Sequence, residues 1–293
     1  MREGLRFEPA EWTPAPAVKC RGRVLGFEQV RIMGVLNATP DSFSDGGEFF
    51  DLEAALGQIA RMTEEGADVI DIGGESTRPG SQGVDEAEEI RRVIPILERM
   101  NLDKGPLVSV DTSKAGVARA ALDAGVHIVN DITGLRDPGM RAVIAEYGAA
   151  AVAMHMKGEP HTMQVNPEYE DLMGELSGYL RKSARQAEGD GIRSVLVDPG
   201  VGFGKSWDHN LEILRRMGEL RELGRPLVVG VSRKSFIGAI TGVEAAGERL
   251  IGSKVAEAFA VVGGADVIRT HDVGAAVEAV RLGEAVRRGS VGP

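Results

Sequence analysis

Short apolar runs recur along this chain, each stops abruptly in a cluster of polar and glycine residues, and an amphipathic stretch follows each cluster. The runs predict strands near Arg31–Leu36, Val69–Ile72, Leu107–Val110, Ile128–Val129, Ala150–Met154, Ser194–Val197, Leu227–Val231 and Val267–Ile268. They are apolar at successive positions and rich in β-branched residues, the pattern of strands covered on both faces. Between them, apolar spacings of three and four predict helices over Leu52–Glu65, Asp85–Met100, Lys114–Ala124, Met140–Glu146, Tyr169–Glu188, Asp208–Glu222, Glu248–Val262 and Val273–Arg287. Gly66, Gly125, Gly148 and Gly191 fall where those helices should stop, the place for a left-handed cap.

Eight strand-to-helix alternations predict an α/β fold, a single (β/α)8 TIM barrel spanning residues 29–293; the alternative is an open, doubly wound sheet. Residues 1–28, with Pro9, Pro14 and Pro16, read as an extension packed on the barrel. A turn at Gly22 within it suggests a hairpin plugging one end. In such a barrel the residues after each strand gather at one face. Here those are Asn37–Gly47, Asp71–Gly80, Ser109–Thr112, Asn130–Asp131, Met154–Met156, Asp198–Lys205, Ser232–Ser235 and Arg269–Asp272.

Composition narrows what that face can do. The 293 residues are 43% hydrophobic, 27% charged and only 4% aromatic, ordinary for a globular protein and suited to closely packed strands and helices. A net charge of −10 argues against nucleic acid as a partner but leaves room for a local cationic pocket. Cys20 is the only cysteine, so neither an internal disulfide nor a cysteine metal site is possible. Neither a signal segment nor an apolar run near 18 residues is evident, so no membrane is implied and a cytoplasmic protein is expected.

At the eighth strand Arg269 and His271 alternate and so point to one side, with Thr270 between them. A guanidinium and an imidazolium at this place suit phosphate groups; a surface ion pair with Asp272 is the plainer reading. Lys234, in Ser232-Arg-Lys-Ser235, could neutralise charge or bond a heterocycle carbonyl. Asp111 and Asp198 follow apolar strands and either cap helices or pair with the N–H edge of a ring such as an aminopyrimidinone, with Asn130 between them. The run Gly200-Val-Gly-Phe-Gly-Lys205 is not a P-loop, but it permits close backbone approach and offers Phe203 for stacking. Asn37 opens a long polar loop and offers one oxygen to Mg2+, an ion held by few protein atoms plus substrate phosphates.

Taken in order, Asn37-Ala-Thr-Pro-Asp-Ser-Phe-Ser-Asp-Gly-Gly47, Asp71-Ile-Gly-Gly-Glu-Ser-Thr-Arg-Pro-Gly80, Ser232-Arg-Lys-Ser-Phe-Ile-Gly238 and Arg269-Thr-His-Asp-Val273 resemble the dihydropteroate synthase family. The likeness runs from about Met33 to Val273, with Ala38 standing where the family usually has Val. It implies condensation of 6-hydroxymethyl-7,8-dihydropterin diphosphate with p-aminobenzoate, Mg2+ as cofactor, a homodimer, and a pocket open to sulfonamides. By the same resemblance Asn37 would hold the metal, and Arg269 and His271, with Thr270, the diphosphate. Asp111, Asn130, Met154, Asp198 and Lys234 would hold the pterin. Thr77, Arg78, Pro79, Phe203 and Ser235 would shape the p-aminobenzoate side, joined by Phe43 and Asp45 when the first loop closes. Arg78, Lys234, Arg269, His271 and Asp45 are the expected catalytic set. Two other readings remain, a pterin-binding methyltransferase barrel working with a corrinoid partner and a catalytically silent paralogue that only binds.

Overall fold

The computed structural model describes residues 13–39, 52–76, 83–158 and 162–290. Two short strands, β1 (Val18–Cys20) and β2 (Arg23–Leu25), pair antiparallel across Arg21 and Gly22. Both turn residues have positive φ, 48° and 85°, the geometry of a two-residue hairpin whose twist matches its strands. Eight parallel strands follow, β3 (Arg31–Asn37), β4 (Val69–Gly73), β5 (Leu107–Asp111), β6 (Ile128–Asp131), β7 (Ala150–Met154), β8 (Val195–Asp198), β9 (Val228–Val229) and β10 (Val267–Thr270). They pair in the order β8-β7-β6-β5-β4-β3-β10-β9. A parallel bridge from Val197 to Leu227 joins the last strand back to the first, so the sheet wraps into a barrel.

Helices α1 (Leu52–Glu65), α2 (Glu86–Arg99), α3 (Ala115–Asp123), α4 (Pro138–Tyr147), α5 (Leu172–Gly189), α6 (Trp207–Arg216), α7 (Ser235–Thr241), α8 (Leu250–Val262) and α9 (Val273–Arg288) connect the strands. Their inner faces and the outward side chains of the strands form the larger core, including Ile70, Ile72, Val108, Val110, Val129 and Ile268. The second core is the barrel's interior floor. Met33, Val69, Leu107, Ile128, Ala150, Leu196, Val228 and Val267 meet there, and Val18, Cys20, Leu25 and Phe27 of the hairpin segment seal it from below. Burial pushes the Cys20 thiol up to about 12, which leaves it an inert packing group.

Four local differences separate the structure from the sequence expectation, the first three at the upper face. The fifth predicted helix starts at Leu172, where Asp171 accepts from Gly174 N, so residues 162–171 lie in the loop after β7. The seventh predicted strand keeps only Val228 and Val229 in the ladder, and Gly230 leaves it to line a pocket. The seven-residue α7 is too short to show a helical period, yet it carries Lys234 as its N-cap and Ser235 as its first residue. The predicted helix over 208–222 also stops early, at Arg216, and continues as a 3-10 turn to Leu223 before the left-handed Gly224.

Candidate active site

Period-two alternation carries the barrel floor upward into a polar mouth. Along β4 the inward series is Val69, Asp71, Gly73; along β5 it is Leu107, Ser109, Asp111; along β10 and beyond it is Val267, Arg269, His271. Register places Asn37, Gly73, Asp111 and Asn130 side by side across β3 to β6. Apolar residues fill the closed end, and side chains able to bond a ligand fill the open one.

Arg269 organises that mouth. Its Nε donates to Asp71 Oδ2 at 2.7 Å, and its terminal nitrogen donates to Asp111 Oδ2 at 2.6 Å. Asn130 Nδ2 donates to the same Asp71 oxygen at 3.1 Å, which leaves its carbonyl oxygen for a ligand. Burial opposes the guanidinium charge, but the carboxylates of Asp71 and Asp111 outweigh it and hold Arg269 above its ordinary range. Asp111 is pushed up by burial and by neighbouring carboxylates, against the pull of Arg269. Asp71 Oδ1, Ser109 Oγ and Asp111 Oδ1 remain buried without a hydrogen-bond partner among the described residues. Buried acceptors left open in this way need donors, and a ligand's N–H groups can supply them.

The opposite wall is built after β8. Asp198 Oδ1 accepts from Gly200 N at 2.7 Å, which starts the glycine-rich turn, and burial raises its carboxyl to about 6. Lys234 Nζ lies 4.1 Å from the centre of the Phe203 ring, a cation–π contact. Burial first, then the positive charge of Arg269, brings Lys234 down to about 8. Asp111, Asn130, Met154, Asp198, Phe203, Lys234 and Arg269 thus line one pocket. Three carboxylates (Asp71 among them) face two fixed cations, an arrangement that favours a flat ring presenting several N–H donors and a carbonyl.

His271 stands at the rim. Its backbone N–H donates to Ser232 Oγ at 3.3 Å, and Nδ1 lies 3.1 Å from the same oxygen. With the Ser232 hydroxyl donating to Nδ1, the ring proton is assigned to Nε2. Burial and the cations Arg269 and Arg233 lower the imidazole to about 3. These surroundings favour the neutral ring over the imidazolium expected from the sequence until an anion faces it.

Thr270 is not brought into the pocket. Its place in the alternation turns it outward, where its hydroxyl donates to Glu257 at 2.8 Å and accepts from Lys254 at 2.8 Å. Ser235 is exposed at the start of α7. Asn37 ends β3 beside Gly73, and its carboxamide makes no hydrogen bond among the described residues. Phe43, Asp45, Thr77, Arg78 and Pro79 lie outside the described residues.

The sequence reading assigned no role to Asp71, which the structure makes the anchor of Arg269. Its signal was an acid on the inward face of a wholly buried strand, where only a countercharge makes ionisation affordable. Ser232 was quoted in its motif without a role, and its hydroxyl fixes the His271 ring.

A family model described as pterin binding enzyme matches residues 33–271. A dihydropteroate synthase from Synechocystis sp. is 44% identical over 260 residues, 88% of this chain and 90% of that protein. The crystal structure of the Yersinia pestis dihydropteroate synthase with a sulfonamide drug complex superposes with a TM-score of 0.87 at 42% identity, covering 94% of this chain and all of that one. The Xanthomonas albilineans dihydropteroate synthase in complex with 7,8-dihydropteroate gives 0.83 at 42% identity, covering 93% of this chain and 99% of that one.

Proposed function

The chain belongs to the dihydropteroate synthase family, and from that premise we propose how its pocket works. It condenses 6-hydroxymethyl-7,8-dihydropterin diphosphate with p-aminobenzoate, giving 7,8-dihydropteroate and diphosphate. The observation that carries the residue assignments is the convergence of Asp111, Asn130, Asp198, Lys234 and Arg269 on one pocket at the C-terminal ends of the strands.

The free oxygens of Asp111 and Asn130, with the Asp198 carboxylate, accept from the amino and ring N–H groups of the pterin. Lys234 donates to its carbonyl or ring nitrogen. Arg269, already braced by Asp71 and Asp111, projects its remaining N–H donors toward the diphosphate, and His271 adds Nε2–H. A bound diphosphate is a countercharge that would raise His271 from its low value toward the charged form. The methylene C–O bond breaks, its electron pair leaves with diphosphate, and the ring nitrogens and nearby carboxylates stabilise the cation formed. The arylamine nitrogen then bonds that carbon and sheds a proton, so no strong base is required. Catalysis rests on positioning and electrostatics, and the Ser232 hydroxyl bonded to His271 Nδ1 serves to orient the imidazole rather than to attack.

Mg2+ fits the residues present as an ion held by the Asn37 oxygen, diphosphate oxygens and water, because Asn37 ends β3 at the open end of the barrel with a neutral oxygen that has no hydrogen-bond partner among the described residues. It would supply charge neutralisation to the departing diphosphate. Activity should vanish with EDTA and return with added Mg2+ when dihydropteroate formation is followed; activity unaffected by chelation would remove the metal from the account.

The free-enzyme pH profile follows from the two pocket walls. The Asp198 carboxylate is the form that accepts from the pterin, so kcat/KM for the pterin diphosphate should rise with pH through about 6. It should fall again through about 8 as Lys234 loses its proton. A profile flat between pH 5 and 9, an interval set about these two values, would contradict both assignments.

A homodimer is the expected assembly. Ile251, Val255 and Phe259 form an i, i+4, i+8 row on α8, 80%, 51% and 51% exposed, and Leu282 and Val286 are exposed on the neighbouring α9. Val255→Glu should shift sedimentation from two copies to one, whereas a wild-type monomer would leave these rows unexplained. No helix among the described residues is long and apolar enough to cross a membrane, and the free Cys20 suits a reducing cytoplasm.

A further inference from the structure

Phe203 forms the aromatic wall of the pocket, but the group that holds its backbone is a lysine the reaction does not use. Lys205 is 1% exposed. Its Nζ donates to Phe203 O at 3.0 Å, lies 3.0 Å from His155 Nδ1, and reaches His155 O at 3.5 Å. Burial and the Lys205 charge bring His155 down to about 3, so its Nδ1 is free to accept. The glycine-rich turn is therefore tied across to the residue that follows β7.

The fit is close on the same side. A Cβ on Gly200 would lie 1.9 Å from His155 O, and one on Gly204 would lie 2.2 Å from Lys157 O; both residues have positive φ. Tyr169 adds a second tie, its hydroxyl donating to Gly204 O at 2.7 Å. Phe203 N in turn donates to Gly200 O at 3.0 Å, closing the turn on itself. An ammonium buried among neutral acceptors is an expensive way to fill space, and an apolar chain of equal length would pack there without desolvating a charge. Lys205 itself is drawn down to about 7 by burial, with Asp198 acting against that shift.

We propose that Lys205 is a positioning residue for the arylamine substrate, clamping the Phe203 backbone to His155 and so setting the ring against which p-aminobenzoate packs. The proposal rests on the synthase reading given above. The pterin-binding side chains of Asp111, Asn130, Asp198, Lys234 and Arg269 make no hydrogen bond to Lys205, whose bonds go to Phe203 and His155, although Asp198 shares the turn through Gly200 N.

The test is Lys205→Met, which keeps length and apolar volume but removes every donor. Calorimetry should find pterin diphosphate affinity within about 3-fold of wild type, while KM for p-aminobenzoate rises by about 10-fold or more, as expected for losing buried hydrogen bonds. Equal losses for both substrates, or an unchanged p-aminobenzoate KM, would overturn it. Tyr169→Phe removes the second tie with little change in packing and should raise the same KM by about 2- to 5-fold. If Lys205→Met does not fold, an unaltered KM in Tyr169→Phe overturns the proposal. Wild-type protein that makes no dihydropteroate would instead defeat the underlying synthase reading.

Discussion

Arg269→Ala should lower kcat/KM for the pterin diphosphate by about 1,000-fold, while p-aminobenzoate affinity for any preformed complex changes little. In the role proposed for it the guanidinium would give two charge-assisted hydrogen bonds to the diphosphate, together about 4 kcal/mol, which is about three decades in rate. The same substitution also strands Asp71 and Asp111, which now accept from Arg269 at 2.7 and 2.6 Å. Breaking a buried pair by removing one partner typically costs about 3–5 kcal/mol, and uptake of a proton by one carboxylate would offset part of it. A carboxylate that holds a proton in the folded chain but not in the unfolded one loses stability as pH rises. The variant should therefore lose more thermal stability, relative to wild type, at pH 8 than at pH 6, a span chosen about the raised Asp111 carboxyl. Equal losses of affinity for both substrates would remove the role assigned to Arg269.

Asp198→Asn should separate recognition from folding. Asparagine retains the oxygen that accepts from Gly200 N at 2.7 Å, so the turn survives, and a buried charge is removed. Its amide protons, however, would oppose the pterin N–H groups, leaving donor against donor. The expected loss in pterin diphosphate affinity is about 100- to 1,000-fold, or about 3–4 kcal/mol, with thermal stability equal to or above wild type. The rise in kcat/KM through about 6 should vanish from the pH profile of this variant, since Asp198 is the group assigned to it. Unchanged affinity would reduce Asp198 to the scaffold residue that caps the turn.

The barrel was legible because its signal is repeated. Eight apolar runs, each stopping at polar residues, define strands covered on both faces, and small boundary errors do not alter the topology. The inward direction of Asp111, Arg269 and His271 was legible for the same reason, since alternation at a strand end fixes a side. Period two also made Thr270 legible as outward-facing, yet motif membership had drawn it into the site; its hydroxyl bonds Glu257 instead. What the sequence concealed was pairing between distant strands. Asp71 and Arg269 are 198 positions apart, and nothing local to either announces the other. The pull of His271 toward its neutral form was less legible, because it depends on burial and on Arg233 from the preceding turn as well as on Arg269 two residues before it. Lys205 closes the glycine-rich run, and nothing local to it announces His155, 50 positions earlier.

The measurement that tests the account most directly is paired quantitation of diphosphate and 7,8-dihydropteroate from purified protein, Mg2+ and the pterin diphosphate, with and without p-aminobenzoate. The account predicts sustained turnover only when p-aminobenzoate is present, with one diphosphate released for each dihydropteroate formed. Folded protein that binds the pterin diphosphate yet forms no dihydropteroate would contradict it and leave a barrel that only binds.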